Sequence, residues 1–273
     1  MIYDLNIDLN YRCYQSLSYE LGGVPFRCRH TGIDVWGAKG SGLDSLTLIF
    51  DLDGTIVDTA PDLVAATNHA LATVDLAPVP GEIIAPFVSF GARAMIDHAL
   101  ELSGQKPDTD IREKMLSDFL TYYGDNIAVH SKPYDGVLEI LEKYKRIGAR
   151  LGVCTNKREG FARKLLKELA MERHFDAITG SDTLPVHKPD PGHLIATVIL
   201  AKGNLDRAIM VGDSKTDIDT ARAAGMPFLG VSFGYTDVPM LQLGPDGIID
   251  HYAEFDAALN AIGEARKATG ADY

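Results

Sequence analysis

The sequence predicts an α/β fold: a doubly wound, mainly parallel sheet with an inserted helical domain. Three observations carry that prediction. Short apolar runs recur along the chain, amphipathic segments lie between them, and one long helical stretch interrupts the alternation straight after the first run. Strands that alternate with helices form parallel sheets, because a parallel neighbour is reached only by a crossover. Such sheets carry their sites outside the carboxyl ends of their strands.

The first run is Leu46-Thr47-Leu48-Ile49-Phe50. It is short, apolar throughout and stopped by Asp51 and a glycine turn, as a strand buried on both faces should be. Further runs are Arg150-Leu151-Gly152-Val153-Cys154, Ala177-Ile178-Thr179, Ala208-Ile209-Met210-Val211, Pro227-Phe228-Leu229-Gly230-Val231 and Gly247-Ile248-Ile249. Helical patterns over about 136–147, 158–170, 191–202 and 215–224 connect them. From about residue 61 to residue 130 the pattern is helical and no strand is predicted. A capping signature opens this stretch, with Thr59 as N-cap, Pro61 in the first turn and Asp62 in the third helical position. The expectation is a cap domain, residues 61–130, beside the mouth of a core made of residues 46–60 and 131–273.

Residues 1–45 read differently. They mix Tyr, Asn, Arg, Gly and Ser with little periodicity and end in Gly37-Ala38-Lys39-Gly40-Ser41-Gly42, a flexible-linker composition. They are expected to be a disordered and dispensable N-terminal extension, with the natural start near Leu46.

Composition narrows the function. Hydrophobic residues make up 46% of the 273, enough for a folded core. The formal net charge of −12 disfavours a nucleic-acid backbone or an anionic membrane as partner, since both need a basic surface. No apolar run is long enough to span a bilayer, and residues 1–10 lack a secretory pattern, so a cytoplasmic protein is expected. Three cysteines, Cys13, Cys28 and Cys154, imply no disulfide framework. An anionic small molecule is still admissible, provided a metal or a lysine supplies local positive charge.

Four constellations carry chemistry. In Asp51-Leu52-Asp53-Gly54-Thr55, two carboxylates two residues apart on an extended chain point the same way at a strand end. In Gly212-Asp213-Ser214-Lys215-Thr216-Asp217, a second strand ends in glycine and acid, and Asp213 and Asp217 are four apart. Carboxylates meeting at one end of one sheet repel one another unless a cation joins them. A hard divalent ion with oxygen ligands, Mg²⁺ by preference, meets that need. Thr155-Asn156-Lys157 follows another strand and precedes a helix N-terminus, a suitable place for phosphate oxygens. Lys188-Pro189-Asp190-Pro191 holds a lysine in stiff backbone, where it can neutralise a phosphoryl oxygen. His187 is read as a solvated neighbour, and Cys154 as a buried small hydrophobe.

In this order, Asp51-x-Asp53-Gly-Thr, Thr155-Asn156, Lys188-Pro and Gly212-Asp213-Ser-x-x-Asp217 resemble the four motifs of the haloacid-dehalogenase-like hydrolase superfamily. The resemblance runs over residues 46–261 and includes an insertion similar to that superfamily's helical cap on a Rossmann-like core. Within it, Asp53-Gly54-Thr55-Ile56-Val57-Asp58-Thr59, Lys188-Pro189-Asp190-Pro191, Gly234-Tyr235 and the surroundings of Gly91-Ala92-Arg93 look like phosphoglycolate phosphatase. The resemblance implies an enzyme that hydrolyses a small phosphate monoester, 2-phosphoglycolate, through an aspartyl phosphate. Asp51 would be the nucleophile and Asp53 the general acid and base. Mg²⁺ would be held by the Asp51 and Asp213 carboxylates and the Asp53 backbone carbonyl. Thr155, Asn156 and Lys188 would clamp phosphoryl oxygens, with Asp217 orienting Lys188 or a metal-bound water. Arg93, at the start of a helix about 92–102, is the candidate to grip the substrate carboxylate. The second acid, Asp53, argues against a dehalogenase, which needs no proton for a halide. A 5′-nucleotidase or sugar-phosphate phosphatase is the enzymatic alternative, and an inactive phosphate-binding regulator the non-enzymatic one.

Overall fold

The computed structural model of the chain describes residues 46–106, 108–236 and 238–268. The expectations for the N-terminal extension, with Cys13 and Cys28, lie outside these residues. In chain order the strands are β1 (Thr47–Phe50), β2 (Val57–Asp58), β3 (Lys132–Pro133), β4 (Arg150–Cys154), β5 (Ala177–Thr179), β6 (Ala208–Gly212), β7 (Phe228–Val231) and β8 (Gly247–Ile249). Six of them form one parallel sheet in the order β5-β4-β1-β6-β7-β8. Each predicted apolar run is one of these strands.

The helices are α1 (Ala60–Ala72), α2 (Gly81–Ile84), α3 (Ala92–Ser103), α4 (Thr109–Asp125), α5 (Val137–Arg146), α6 (Glu159–Glu168), α7 (Pro191–Leu200), α8 (Lys215–Ala223), α9 (Met240–Leu243) and α10 (Phe255–Ala268). The sheet is covered on both faces, which is why its strands read as continuous apolar runs. Alternate residues of β1 serve the two sides. Leu48 and Phe50 join a core with Val137 and Leu141 of α5, Leu165 of α6 and Phe255 and Leu259 of α10. Ile49 joins a second core with Leu194 and Val198 of α7 and Ile218 and Ala221 of α8. Among the described residues, no helix is long and apolar enough to cross a membrane.

Between β2 and β3 the chain is helical. α1 packs against α3 and α4. Its buried Leu63, Ala66, Ala70 and Leu71 recur at spacings of three, four and one, the stripe of an amphipathic helix. α4 buries Met115, Phe119 and Tyr123 at intervals of four, and its Asp108 N-cap accepts from the Ile111 amide at 2.9 Å.

Two features of the neck between insertion and sheet differ from the sequence reading. β2 and β3 form a small antiparallel ribbon where the insertion leaves and rejoins the core. Two residues per strand are too few to show a period of two, so pattern reading passes over them. The capping signature at residues 59–62 is also realised otherwise. The Thr59 hydroxyl makes no cap, and instead the Tyr235 hydroxyl accepts from the Thr59 and Ala60 amides at 2.7 and 2.9 Å. Asp62 reaches across the neck to the His130 and Ser131 amides and the Ser131 hydroxyl, at 2.7–3.0 Å. A hydroxyl from a distant segment thus serves the amides that open α1, and Asp62 ties the two crossings of the neck together.

Candidate active site

The first side chain is set by β1. Its central place in the sheet carries the chain straight into Asp51, whose amide donates to the Val211 carbonyl at 2.9 Å. The carboxylate that follows is almost wholly buried. Burial pushes its pKa up to about 6, with Lys188 opposing the rise and Asp217 adding to it.

The neighbouring strand β6 ends in Gly212 and delivers Asp213. A Cβ on Gly212 would stand 2.5 Å from that of Asp217, so only glycine lets the helix α8 fold back over the strand end. Ser214 caps α8 by accepting from the Asp217 amide, and Asp217 Oδ2 accepts in return from the Ser214 amide and hydroxyl at 3.1 and 2.6 Å. Asp213 is fully buried and accepts from the Thr55 hydroxyl at 2.9 Å and the Tyr235 amide at 2.8 Å. Desolvation, followed by the charges of Asp217 and Asp51, pushes its pKa well above the carboxylate range. Gly54, at φ +81°, turns the chain beneath this carboxylate, where a Cβ would lie 2.5 Å from Asp213 Oδ2.

Lys188 enters from the loop before α7 and is 2% exposed, so its charge depends wholly on its partners. Its Nζ lies 2.6 Å from Asp217 Oδ1 and 2.8 Å from Asp51 Oδ1. Burial alone would lower its pKa, but the two carboxylates outweigh that and hold it charged. Thr155 and Asn156 stand where β4 ends. The Asn156 amide nitrogen donates to the Lys188 carbonyl at 3.1 Å, fixing the lysine loop, while its Oδ1 is buried without a hydrogen-bond partner.

Asp51, Asp213 and Asp217 each offer an oxygen, and these atoms lie within 4.8 Å of one another. Three buried carboxylates beside a single lysine form an all-oxygen donor set of the kind that suits a hard divalent cation.

Asp53 points toward a partner the sequence analysis did not single out. Both its oxygens accept from Lys157 Nζ, at 2.7 and 3.0 Å, in a pair whose side chains are only 6% and 13% exposed. The Tyr123 ring of α4 covers the same ammonium at 4.7 Å from its centroid. Desolvation opposes the Lys157 charge, and Asp53 more than restores it, leaving the pKa above the usual lysine value. Lys157 stood beside Thr155 and Asn156 in the sequence, but nothing local distinguishes it from a surface lysine.

A cavity of about 510 Å³ lies over this group. Asp51, Asp53, Thr155, Asn156 and Lys188 form one side, and Val88, Met95, Phe119 and Tyr123 of the helical insertion form another. Arg93 also lines it, but its guanidinium makes a bidentate pair with Glu113 of α4 at 2.6 and 3.0 Å, with the arginine side chain 64% exposed. The candidate reader of a substrate carboxylate is thus already holding a carboxylate of the chain itself. His187 is exposed, and Cys154 is buried, its thiol pushed up to about 12 by burial.

This geometry has close relatives. Residues 48–231 match the haloacid dehalogenase-like hydrolase family. A phosphoglycolate phosphatase of Mesorhizobium japonicum is 45% identical over 217 residues, covering 80% of this chain and 94% of its own. One of Agrobacterium fabrum is 46% identical over 212 residues, covering 77% of this chain and 91% of its own. A crystal structure described as a predicted phosphoglycolate phosphatase of Haemophilus somnus superposes with a TM-score of 0.74 at 29% identity, covering 78% of this chain and 97% of that one. The chain therefore belongs to the haloacid dehalogenase-like hydrolase family, as a phosphoric monoester hydrolase that resembles the phosphoglycolate phosphatases.

Proposed function

We propose that the protein is a Mg²⁺-dependent phosphatase that hydrolyses 2-phosphoglycolate to glycolate and phosphate through an aspartyl phosphate on Asp51. One observation carries the reading. The Asp51 carboxylate sits at the end of the central strand, 2.8 Å from a buried lysine and within 4.8 Å of two further buried acids, on the wall of a cavity large enough for a small ester. The names of the relatives support the substrate.

In this reading Asp51 attacks phosphorus while the bond to the bridging oxygen breaks. Asp53, protonated on an oxygen that turns from Lys157 to the substrate, gives that proton to the departing alkoxide, then takes one from the water that attacks the aspartyl phosphate, releasing phosphate and restoring Asp51. Lys188 offsets charge on the phosphoryl oxygens, Thr155 and Asn156 donate to them, and Asp217 holds Lys188 in line. Asp51, Asp213 and the Asp53 carbonyl would hold Mg²⁺. When bound, the ion neutralises phosphoryl charge and relieves the repulsion among the acids. The helical insertion, residues 61–130, is the cap that covers the leaving group, on a core of residues 46–60 and 131–273.

The test is a panel of phosphate monoesters assayed with Mg²⁺ and with EDTA. Turnover should need the metal, and 2-phosphoglycolate should show a higher kcat/KM than a nucleoside monophosphate or glucose 6-phosphate. Asp51→Asn should abolish turnover with an unchanged circular dichroism spectrum, since an amide is a poor nucleophile. Activity in the Asp51→Asn variant would rule out the covalent route, and a better substrate among the others would move the specificity while leaving the phosphatase chemistry in place.

A further inference from the structure

Four residues with permanent positive charge line the cavity: Arg93, Lys157, Arg158 and Lys188. The substrate proposed above carries a phosphate and a carboxylate, so it needs a cation for each end. Three of the four are already engaged. Lys188 pairs with Asp51 and Asp217, Lys157 with Asp53, and Arg93 with Glu113. A second carboxylate brought to Arg93 would meet the charge of Glu113 as well as the guanidinium. Arg158 is left. No hydrogen bond or ion pair engages its guanidinium among the described residues, and the side chain is exposed at the cavity.

Its backbone, by contrast, is fixed. Arg158 is the N-cap of α6, and its carbonyl accepts from the Phe161 and Ala162 amides, both at 3.0 Å. It stands three residues beyond Thr155, on the same strand-to-helix turn as the phosphoryl-binding candidates. That placement suits the molecule to be read. In 2-phosphoglycolate the carboxylate is separated from the bridging oxygen by one methylene, so its reader must stand beside the phosphoryl clamp and not across the lobe. From the insertion side, Ser89 is among the residues lining the same cavity, and its hydroxyl is buried with no hydrogen-bond partner. It is available to donate to a second carboxylate oxygen.

We propose that Arg158, on the core, and not Arg93, on the insertion, is the specificity-determining residue that binds the substrate carboxylate, with Ser89 as its hydrogen-bonding counterpart. The inference rests on the substrate reading above, and the experiment separates the two. The probes are 2-phosphoglycolate and ethylene glycol monophosphate, in which a hydroxymethyl group replaces the carboxylate. The wild-type ratio of kcat/KM judges the substrate reading alone: a clear preference for 2-phosphoglycolate keeps it, and no preference overturns it together with the role of Arg158.

The variants then judge Arg158. Arg158→Ala should lose on the order of 10–100-fold in kcat/KM for 2-phosphoglycolate, the range for one hydrogen bond to a charged group. Its kcat/KM for ethylene glycol monophosphate should stay within about twofold, since the phosphoryl site is untouched. Equal losses on both probes, or no loss on either, overturn the inference. So does a selective loss in Arg93→Ala that Arg158→Ala does not show.

Discussion

Asp53 and Lys157 form a closed pair under the Tyr123 ring, and that arrangement bears on how the acid is presented. A carboxyl group that must present a proton to a leaving oxygen gains from having its other oxygen held in place, and Lys157, which here donates to both oxygens, can keep one while the other takes the proton. Lys157→Met should therefore act through Asp53. An alkyl phosphate needs its leaving oxygen protonated, whereas p-nitrophenyl phosphate releases a stable phenolate without help. In kcat/KM, which stops at formation of the aspartyl phosphate, the variant should lose about tenfold or more on the alkyl ester, within the roughly 10²–10⁴-fold that general acid–base catalysis contributes. The loss on the aryl ester should be several-fold smaller. Equal losses would place Lys157 on the phosphoryl group instead. The same pairing logic explains why residue types alone misjudge Arg93. An arginine at a helix start beside a cavity reads as a ligand, yet Glu113 on the facing helix has taken it.

At the scale of elements, Tyr235 joins three parts of the molecule. Its amide donates to Asp213, its hydroxyl donates to Asp58 on β2 at 2.6 Å, and the same oxygen accepts from the first amides of α1. The N-terminal amides of a helix have no partner within it, and this oxygen supplies one to the Thr59 and Ala60 amides. Tyr235→Phe keeps the ring but strips the Thr59 and Ala60 amides of their acceptor. We expect a loss of about 1–3 kcal/mol, the cost of leaving partly buried donors unsatisfied, read as a lower urea midpoint with an unchanged slope. A midpoint equal to wild type would mean that solvent replaces the hydroxyl. This cap was not legible in the sequence, because Tyr235 lies 176 residues from Thr59 and a local signature at residues 59–62 already offered an answer.

For the whole molecule, the buried acids make the metal-free state dependent on pH. Asp51 has a folded pKa of about 6 against an ordinary 3.8, and Asp213 is likewise raised by burial and by its neighbours. A raised carboxyl favours the folded state while protonated. Its contribution is whole below about pH 4 and is lost as pH rises through the folded value. In EDTA, the Asp51 contribution should therefore decline between about pH 4 and pH 6 by an amount on the order of a few kcal/mol, at about 1.4 kcal/mol per pKa unit. Asp51→Asn should flatten that decline, which isolates it from the other titrating groups. Mg²⁺ at pH 7 should raise Tm in wild type, because binding to the folded state alone adds stability by mass action. Thermal melts across pH, with and without the ion, give both results, and a melting temperature indifferent to Mg²⁺ would count against the metal site.

The division between sequence and structure follows the range of the interactions. Six strands, the helices between them and the insertion after the first strand were legible because each is written as a local period, buried strands as apolar runs and helices as stripes. The acids and glycines that end β1 and β6 were legible too, because a polar residue that stops an apolar run marks the sheet end where sites form. The partners of those residues were not. Lys157 on Asp53, Glu113 on Arg93, Tyr235 over the α1 amides and Asp62 across the neck join segments from 20 to 176 residues apart. Which of several possible donors or acceptors wins depends on distance and burial in the folded chain, and no local period encodes either. Chain pattern thus determined which acids stand at the strand ends, while tertiary packing decided which charges are already paired and which, like that of Arg158, are not.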